Sequence, residues 1–166
     1  FFGAQPEIGL LDSGLSIFLH GRGSGRFLAA GPDKSGIGVA GAATALTTAD
    51  LNLDGRPELA FAVNNSPVMF FSELPVSNQS HKLFEVRLRG KPGNLFSVGA
   101  RITLSSLTTS QSQTSEITAG SGYLGQSEAA RWFGLGPAAP ETPISVTVRW
   151  PDGSSTTTRT VARDRK

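Results

Sequence analysis

The sequence predicts an all-β fold, with antiparallel strands building a sandwich or barrel. Three observations lead there. Apolar and polar residues alternate with period two in several short stretches, the pattern of strands with one buried face. Clusters of Gly, Pro, Asn and Asp punctuate those stretches at short intervals. Nothing between them carries a long helical period, so parallel βαβ units are not expected.

Taken in order, "LSIFLHG" (15–21) and "ELAFAVN" (58–64) are short apolar strands bounded by Gly, Asn and Pro. "PVMFFSEL" (67–74) follows the turn cluster "NNS". "PVSNQSH" (75–81) is polar, carries a Pro, and is expected to be a linker. Beyond it the alternation sharpens. Phe84, Val86 and Leu88 alternate with Glu85, Arg87 and Arg89; Val98, Ala100, Ile102 and Leu104 alternate with Arg101 and Thr103. Ile144, Val146, Val148 and Trp150 alternate with Ser145, Thr147 and Arg149. "PDGS" (151–154) then supplies an Asp-Gly hairpin turn, and "STTTRTV" a returning β-branched strand.

The 166 residues suit one domain or two small ones. With no Cys, neither a disulfide framework nor a thiolate metal site is available. No apolar run approaches the roughly 18 residues of a membrane span. The start at "FFGAQPE" reads as that of an excised fragment. The net charge of +2 conceals an asymmetry: residues 1–78 carry four Lys/Arg and seven Asp/Glu, residues 79–166 eleven and six. Two modules, 1–78 and 79–166, are therefore expected. The basic residues are spread rather than clustered, which argues for solvated faces over nucleic-acid binding.

The densest chemistry lies in "ADLNLDGRPEL" (49–59). Ca²⁺ takes six to eight oxygens at roughly 2.3–2.6 Å, and a loop supplies them from alternate positions as it curls round the ion. Asp50, Asn52 and Asp54 stand at such positions, Gly55 permits a sharp turn, the Arg56 carbonyl can point inward, and Glu58 closes the loop. Leu51 and Leu53 are expected to point away from the ion into apolar packing. An EF-hand is excluded, since its twelfth position needs Glu and here is Phe61. The competing reading is an ordinary Asp-Gly turn carrying surface acids.

These residues carry a resemblance. "ADLNLDGRPELAFAVNN" resembles the calcium loop and following strand of FG-GAP/VCBS repeats, the blades of integrin-type β-propellers; Glu58 stands where that pattern usually has Asp. "LSIFLHGRGSGRF" resembles the closing strand of a preceding repeat, ending at Phe27. In the second half, "FEVRLRGKPGNLFSVGARITL", "EITAGSGYLGQSEAARWFGLG" and "VTVRWPDGS" resemble the ASPIC/UnbV domain, as in cartilage acidic protein-like proteins. The resemblance implies a propeller-type blade with a Ca²⁺ loop, followed by a small β-sandwich or barrel. It further implies an extracellular or cell-surface location and no established reaction; a periplasmic location is expected as the other exported case. One repeat and part of another do not close a propeller, so either further blades belong to a longer protein or the blade packs directly on the second domain.

Other features are expected to be structural. "GSGYLG" (120–125) satisfies a dinucleotide-loop pattern, but "QSEAARWF" gives about two helical turns at most, too few for a crossover. A Gly-rich turn or bulge is expected instead. His20 and His81 have no ligand or triad partners at suitable spacing, and Asp152 is explained by its turn. Trp132, Phe133 and Trp150 are expected in the core. Arg87, Arg89, Arg101 and Arg149 are expected to be solvated singly; were their strands neighbours, they would make a basic face. The functional expectation is a non-enzymatic, exported Ca²⁺-binding adhesion module meeting a protein or a glycan, acidic or sulfated. The alternative is a polysaccharide-active enzyme or its binding accessory, with Glu116 and Glu128 as candidate acids.

Overall fold

The computed structural model describes residues 14–73, 83–136 and 142–162. The linker expected at 75–81, with His81, lies outside the described residues. The fold is all-β: apart from one four-residue helix, Pro32–Ser35, the regular elements described are strands in small antiparallel sheets, with no closed barrel among them. No helix among the described residues is long and apolar enough to cross a membrane.

In the N-terminal part, β1 (Phe18–Gly23) and β2 (Arg26–Ala30) form a hairpin. Its turn places Gly23, Ser24 and Gly25 at positive φ, the conformation that glycine adopts at least cost. Phe18, Leu19, Phe27 and Leu28 on this hairpin are largely exposed. β3 (Ala43–Ala49), β4 (Glu58–Val63) and β5 (Met69–Phe71) then pair antiparallel in that order. Their core is small: Val39, Phe61 and Val63 are buried, and Phe61 meets Phe71 edge-on at 5.6 Å. β3 and β4 are joined by residues 50–57, so the acidic loop caps a hairpin whose last pair is Ala49 with Glu58.

The C-terminal part holds the larger core. β6 (Leu83–Arg87) pairs with β9 (Ala130–Gly134). β7 (Arg101–Ser106), β8 (Ser112–Glu116), β10 (Thr142–Arg149) and β11 (Ser155–Ala162) form a second sheet in the order β11-β10-β7-β8. The alternating rows read from the sequence face inward: Val86, Ile102, Leu104, Ile144, Val146, Val148 and Phe133 join Ala100 and Ile117 in one cluster. Each fully buried Ile, Leu or Phe contributes roughly 1.5–3 kcal/mol, so this cluster carries most of the stability. Gly153 at φ +84 makes the β10–β11 turn, closed by the Trp150 N–H on the Ser154 carbonyl (2.8 Å).

Residues 130–133 of "QSEAARWF" belong to strand β9 rather than to a helix. The two aromatic side chains consequently separate. Phe133 is in the core, whereas Trp132 faces the other way, half-buried, with its indole N–H making no hydrogen bond. Trp150 packs against the core's edge as expected and donates to Thr156 Oγ1 (2.9 Å).

The two parts meet along β3. The Glu128 N–H donates to the Thr48 carbonyl (2.9 Å), Thr48 N–H to Ser127 Oγ (3.1 Å), and Thr47 Oγ1 to the Gln126 carbonyl (2.7 Å). The exposed edge of the three-stranded sheet is thus covered by residues 126–128, which protects it from pairing elsewhere. Gly125 makes the approach feasible, since a Cβ there would stand 3.0 Å from the Leu46 carbonyl oxygen. Gly122 serves the same loop through its φ of +77. The "GSGYLG" segment is part of the connection from β8 to β9, strands of two different sheets, and it docks on β3.

Candidate metal centre

The loop 50–57 folds onto its own side chains. Asp50 is buried at the end of β3, and its two carboxylate oxygens accept the N–H groups of Asp54 (3.1 Å) and Gly55 (3.0 Å). Asn52 Oδ1 also accepts the Asp54 N–H (2.9 Å), while Asn52 Nδ2 donates to Asp54 Oδ2 (3.0 Å). Asp54 Oδ1 accepts the Arg56 N–H (2.8 Å). Glu58, buried at the start of β4, reaches back to accept the Leu51 N–H (2.8 Å). The curl requires left-handed backbone at Leu53 (φ +61) and Gly55 (φ +87); only the second suits its residue.

Of the five sequence-predicted positions, Asp50, Asn52, Asp54 and Arg56 therefore lie in one compact loop, and Glu58 opens β4 and reaches back to it. The Arg56 guanidinium turns away to Glu73 (3.2 Å), leaving its backbone to serve the loop. Leu51 and Leu53 do point outward, but into solvent rather than apolar packing, being 59% and 76% exposed. The loop stands at the end of the β3–β4 hairpin, where both side chains meet solvent.

Two features bear on what the loop can hold. Its donors are all oxygens, the set that a hard cation takes. Asp50 and Glu58 are each more than nine-tenths buried, yet neither has a Lys, Arg or His partner among the described residues. Their charge is answered by backbone N–H groups alone. A carboxylate oxygen has two acceptor positions, so a single N–H leaves capacity for a further ligand. In this arrangement the carboxylates are turned onto the backbone. Among the described residues no three Asp, Glu or His side chains stand at the spacing needed to share an ion.

Glu128 is the neighbour that sequence reading missed. Its Oε2 accepts the Asp50 N–H (3.2 Å), and its Oε1 pairs with Arg87, which also pairs with Glu85. Those carboxylates hold the Arg87 guanidinium above its ordinary pKa, Glu128 most strongly. Glu128 thus ties the first residue of the acidic loop to β6. The pattern "SEAA" gave no sign of this, because the contact joins residues 78 apart in sequence. Of the two candidate acids, Glu128 has its carboxylate engaged at the junction, and Arg131 donates to the backbone carbonyls of both Glu116 (2.8 Å) and Glu128 (3.3 Å).

The four arginines behave differently from one another. Arg87 is ion-paired, contrary to the expectation of solvation, because β9 brings Glu128 beside it. Arg101 and Arg149 are direct cross-strand neighbours on β7 and β10, with Glu116 opposite Arg101 on its other side.

Residues 90–166 match the family model described as ASPIC and UnbV. An ASPIC/UnbV domain is therefore present there, spanning β7 to β11, while the acidic loop lies outside the matched segment. No curated protein matches the chain.

Proposed function

We infer that this chain is a non-enzymatic, exported Ca²⁺-binding adhesion or interaction module. In this reading residues 1–78 form an FG-GAP/VCBS-type blade region, and residues 79–166 present a face to a protein or an acidic glycan. The observation that carries it is the pair of buried carboxylates, Asp50 and Glu58, at the two ends of the loop with no cationic side chain among the described residues to answer them. A buried charge lacking a counter-charge is costly, and a cation taken from solution removes that cost. Asp50, Asn52, Asp54, Glu58 and the Arg56 carbonyl would hold the ion, which supplies positive charge and fixes the loop. Glu128 would carry that rigidity across the junction, since it grips the backbone of Asp50.

Titration calorimetry with Ca²⁺ on the wild type, Asp54→Ala and Glu58→Gln tests the reading. Asp54→Ala removes a charge and an oxygen ligand and should weaken binding more than Glu58→Gln, which keeps one oxygen and the side-chain length. Each variant is first shown to be folded by circular dichroism, because Asp54 also organises the turn. Affinities that are equal and unaltered would reduce the loop to a plain Asp-Gly turn.

A further inference from the structure

A second site stands out at the end of the C-terminal sheets, within the ASPIC/UnbV segment and its border. A cleft of about 350 Å³ opens between the 90–98 loop and the β10–β11 turn. Its wall and rim are built by Arg89, Lys91, Trp150, Pro151 and Asp152, and Ser97 contributes to its lining.

The cleft is preformed. Asn94 staples the loop, donating through Nδ2 to the Val98 carbonyl (2.9 Å) and accepting the Val98 N–H (2.8 Å). Gly90 packs so tightly under this loop that any Cβ would collide with the Asn94 carbonyl. Lys91 Nζ bridges to Asp152 Oδ2 (3.1 Å), joining the two walls. Ser97 sits in left-handed backbone at φ +57, a conformation that costs a non-glycine residue energy and that clusters at ligand sites. Its side chain is 1% exposed and its Oγ has no hydrogen-bond partner. That hydroxyl is closed off beneath Gly90, 2.8 Å from where a Cβ there would stand, so it packs under the cleft and leaves ligand contact to the rim.

The lining specifies the ligand's chemistry. Trp150 and Pro151 offer apolar surface, and the indole N–H is already taken by Thr156. Arg89 is exposed and has no carboxylate partner among the described residues, so the cleft keeps a cation to spare. Apolar wall, carboxylate and cation together suit a sugar ring that bears a negative group. The C–H surface meets Trp150 and Pro151, the hydroxyls meet Asp152, and the anion meets Arg89. The volume lies near the lower end of small-ligand pockets, which fits a short terminal unit rather than a long polymer segment.

We propose that this cleft binds an acidic sugar, a uronate or a sulfated unit. The inference rests on the reading of this part as the ligand-presenting one and is independent of calcium. Binding is measured by titration calorimetry in EDTA, with tetragalacturonate as the carboxylated probe and a heparin tetrasaccharide as the sulfated one. Maltotetraose is the neutral control. At least one acidic probe should bind, maltotetraose should not, and Arg89→Gln should weaken binding by roughly tenfold or more, as loss of a charge-assisted contact does. Arg89 is exposed, so this variant keeps the fold; Lys91→Gln, also exposed, provides a second test of the same rim. Failure of both acidic probes overturns the proposal, as does equal binding of maltotetraose or unchanged affinity in both variants. Because EDTA removes Ca²⁺ throughout, a failure here leaves the calcium reading standing, and a failure of the loop to bind Ca²⁺ leaves this cleft standing.

Discussion

Replacing Glu128 tests whether the acidic loop is tied to the C-terminal sheets. Its Oε2 accepts the Asp50 N–H at 3.2 Å, a long but charge-assisted bond worth about 1.5 kcal/mol. Its Oε1 pairs with Arg87, whose side chain is 49% exposed, so solvent screening limits that pair to about 0.5 kcal/mol. Glu128→Ala should therefore destabilise the fold by about 2 kcal/mol. Glu128→Gln keeps an acceptor for Asp50 and loses the ion pair, costing about 1 kcal/mol. With a urea dependence of about 2 kcal/mol/M, the unfolding midpoint should fall by about 1 M for the first and about 0.5 M for the second. Glu116→Ala is the control: its residue is exposed, and the change should stay within about 0.5 kcal/mol. The Asp50 amide should also exchange its hydrogen faster in Glu128→Ala, because its acceptor is gone. A Glu128→Ala midpoint no lower than that of Glu116→Ala would refute the junction.

The glycine segment and the β10–β11 turn give two further expectations. Gly125→Ala should cost about 1–2 kcal/mol by pressing a methyl on the Leu46 and Ser121 carbonyls, whereas Gly120→Ala, which meets open space, should be near neutral in the same urea experiment; equal effects would contradict the docking of this loop. Ser154 donates both its O–H and its N–H to Asp152, and with Lys91 these hold the Asp152 carboxyl down to about 2. A folded value below the unfolded one, near 4, means that the stabilisation is full above about pH 4 and is lost as pH falls through about 2. An NMR titration should place the Asp152 midpoint near 2 and raise it in Ser154→Ala; a wild-type midpoint near 4 would contradict the turn geometry.

The C-terminal sheets were legible because burial is one-sided there. Ile102, Leu104, Ile144, Val146 and Val148 alternate with polar residues, and a period-two row has only one way to face a core. The Asp-Gly turn at 152–153 and the acidic loop's membership were legible for a similar reason, since both are local in sequence. What escaped was non-local. Nothing in "QSEAARWF" tells that Glu128 will grip Asp50, that Ser127 will cover the edge of β3, or that the segment ends in a strand. Those outcomes depend on an edge supplied by residues some 80 positions earlier. The direction of Leu51 and Leu53 was readable from alternation, but their exposure depends on whether anything lies beyond the hairpin's end.

The central claim, that the loop at 50–58 takes up Ca²⁺ and that this holds the fold, is tested most directly by thermal unfolding of the whole chain in chelator and in 10 mM Ca²⁺. An ion that binds only the folded loop stabilises by mass action. For a dissociation constant on the order of 10⁻⁴–10⁻³ M, as in weak extracellular modules, the gain is roughly 1.4–2.7 kcal/mol. The Tm of the wild type should be higher in Ca²⁺, with a much smaller rise for Asp54→Ala. The same Tm in Ca²⁺ and in chelator would contradict the claim.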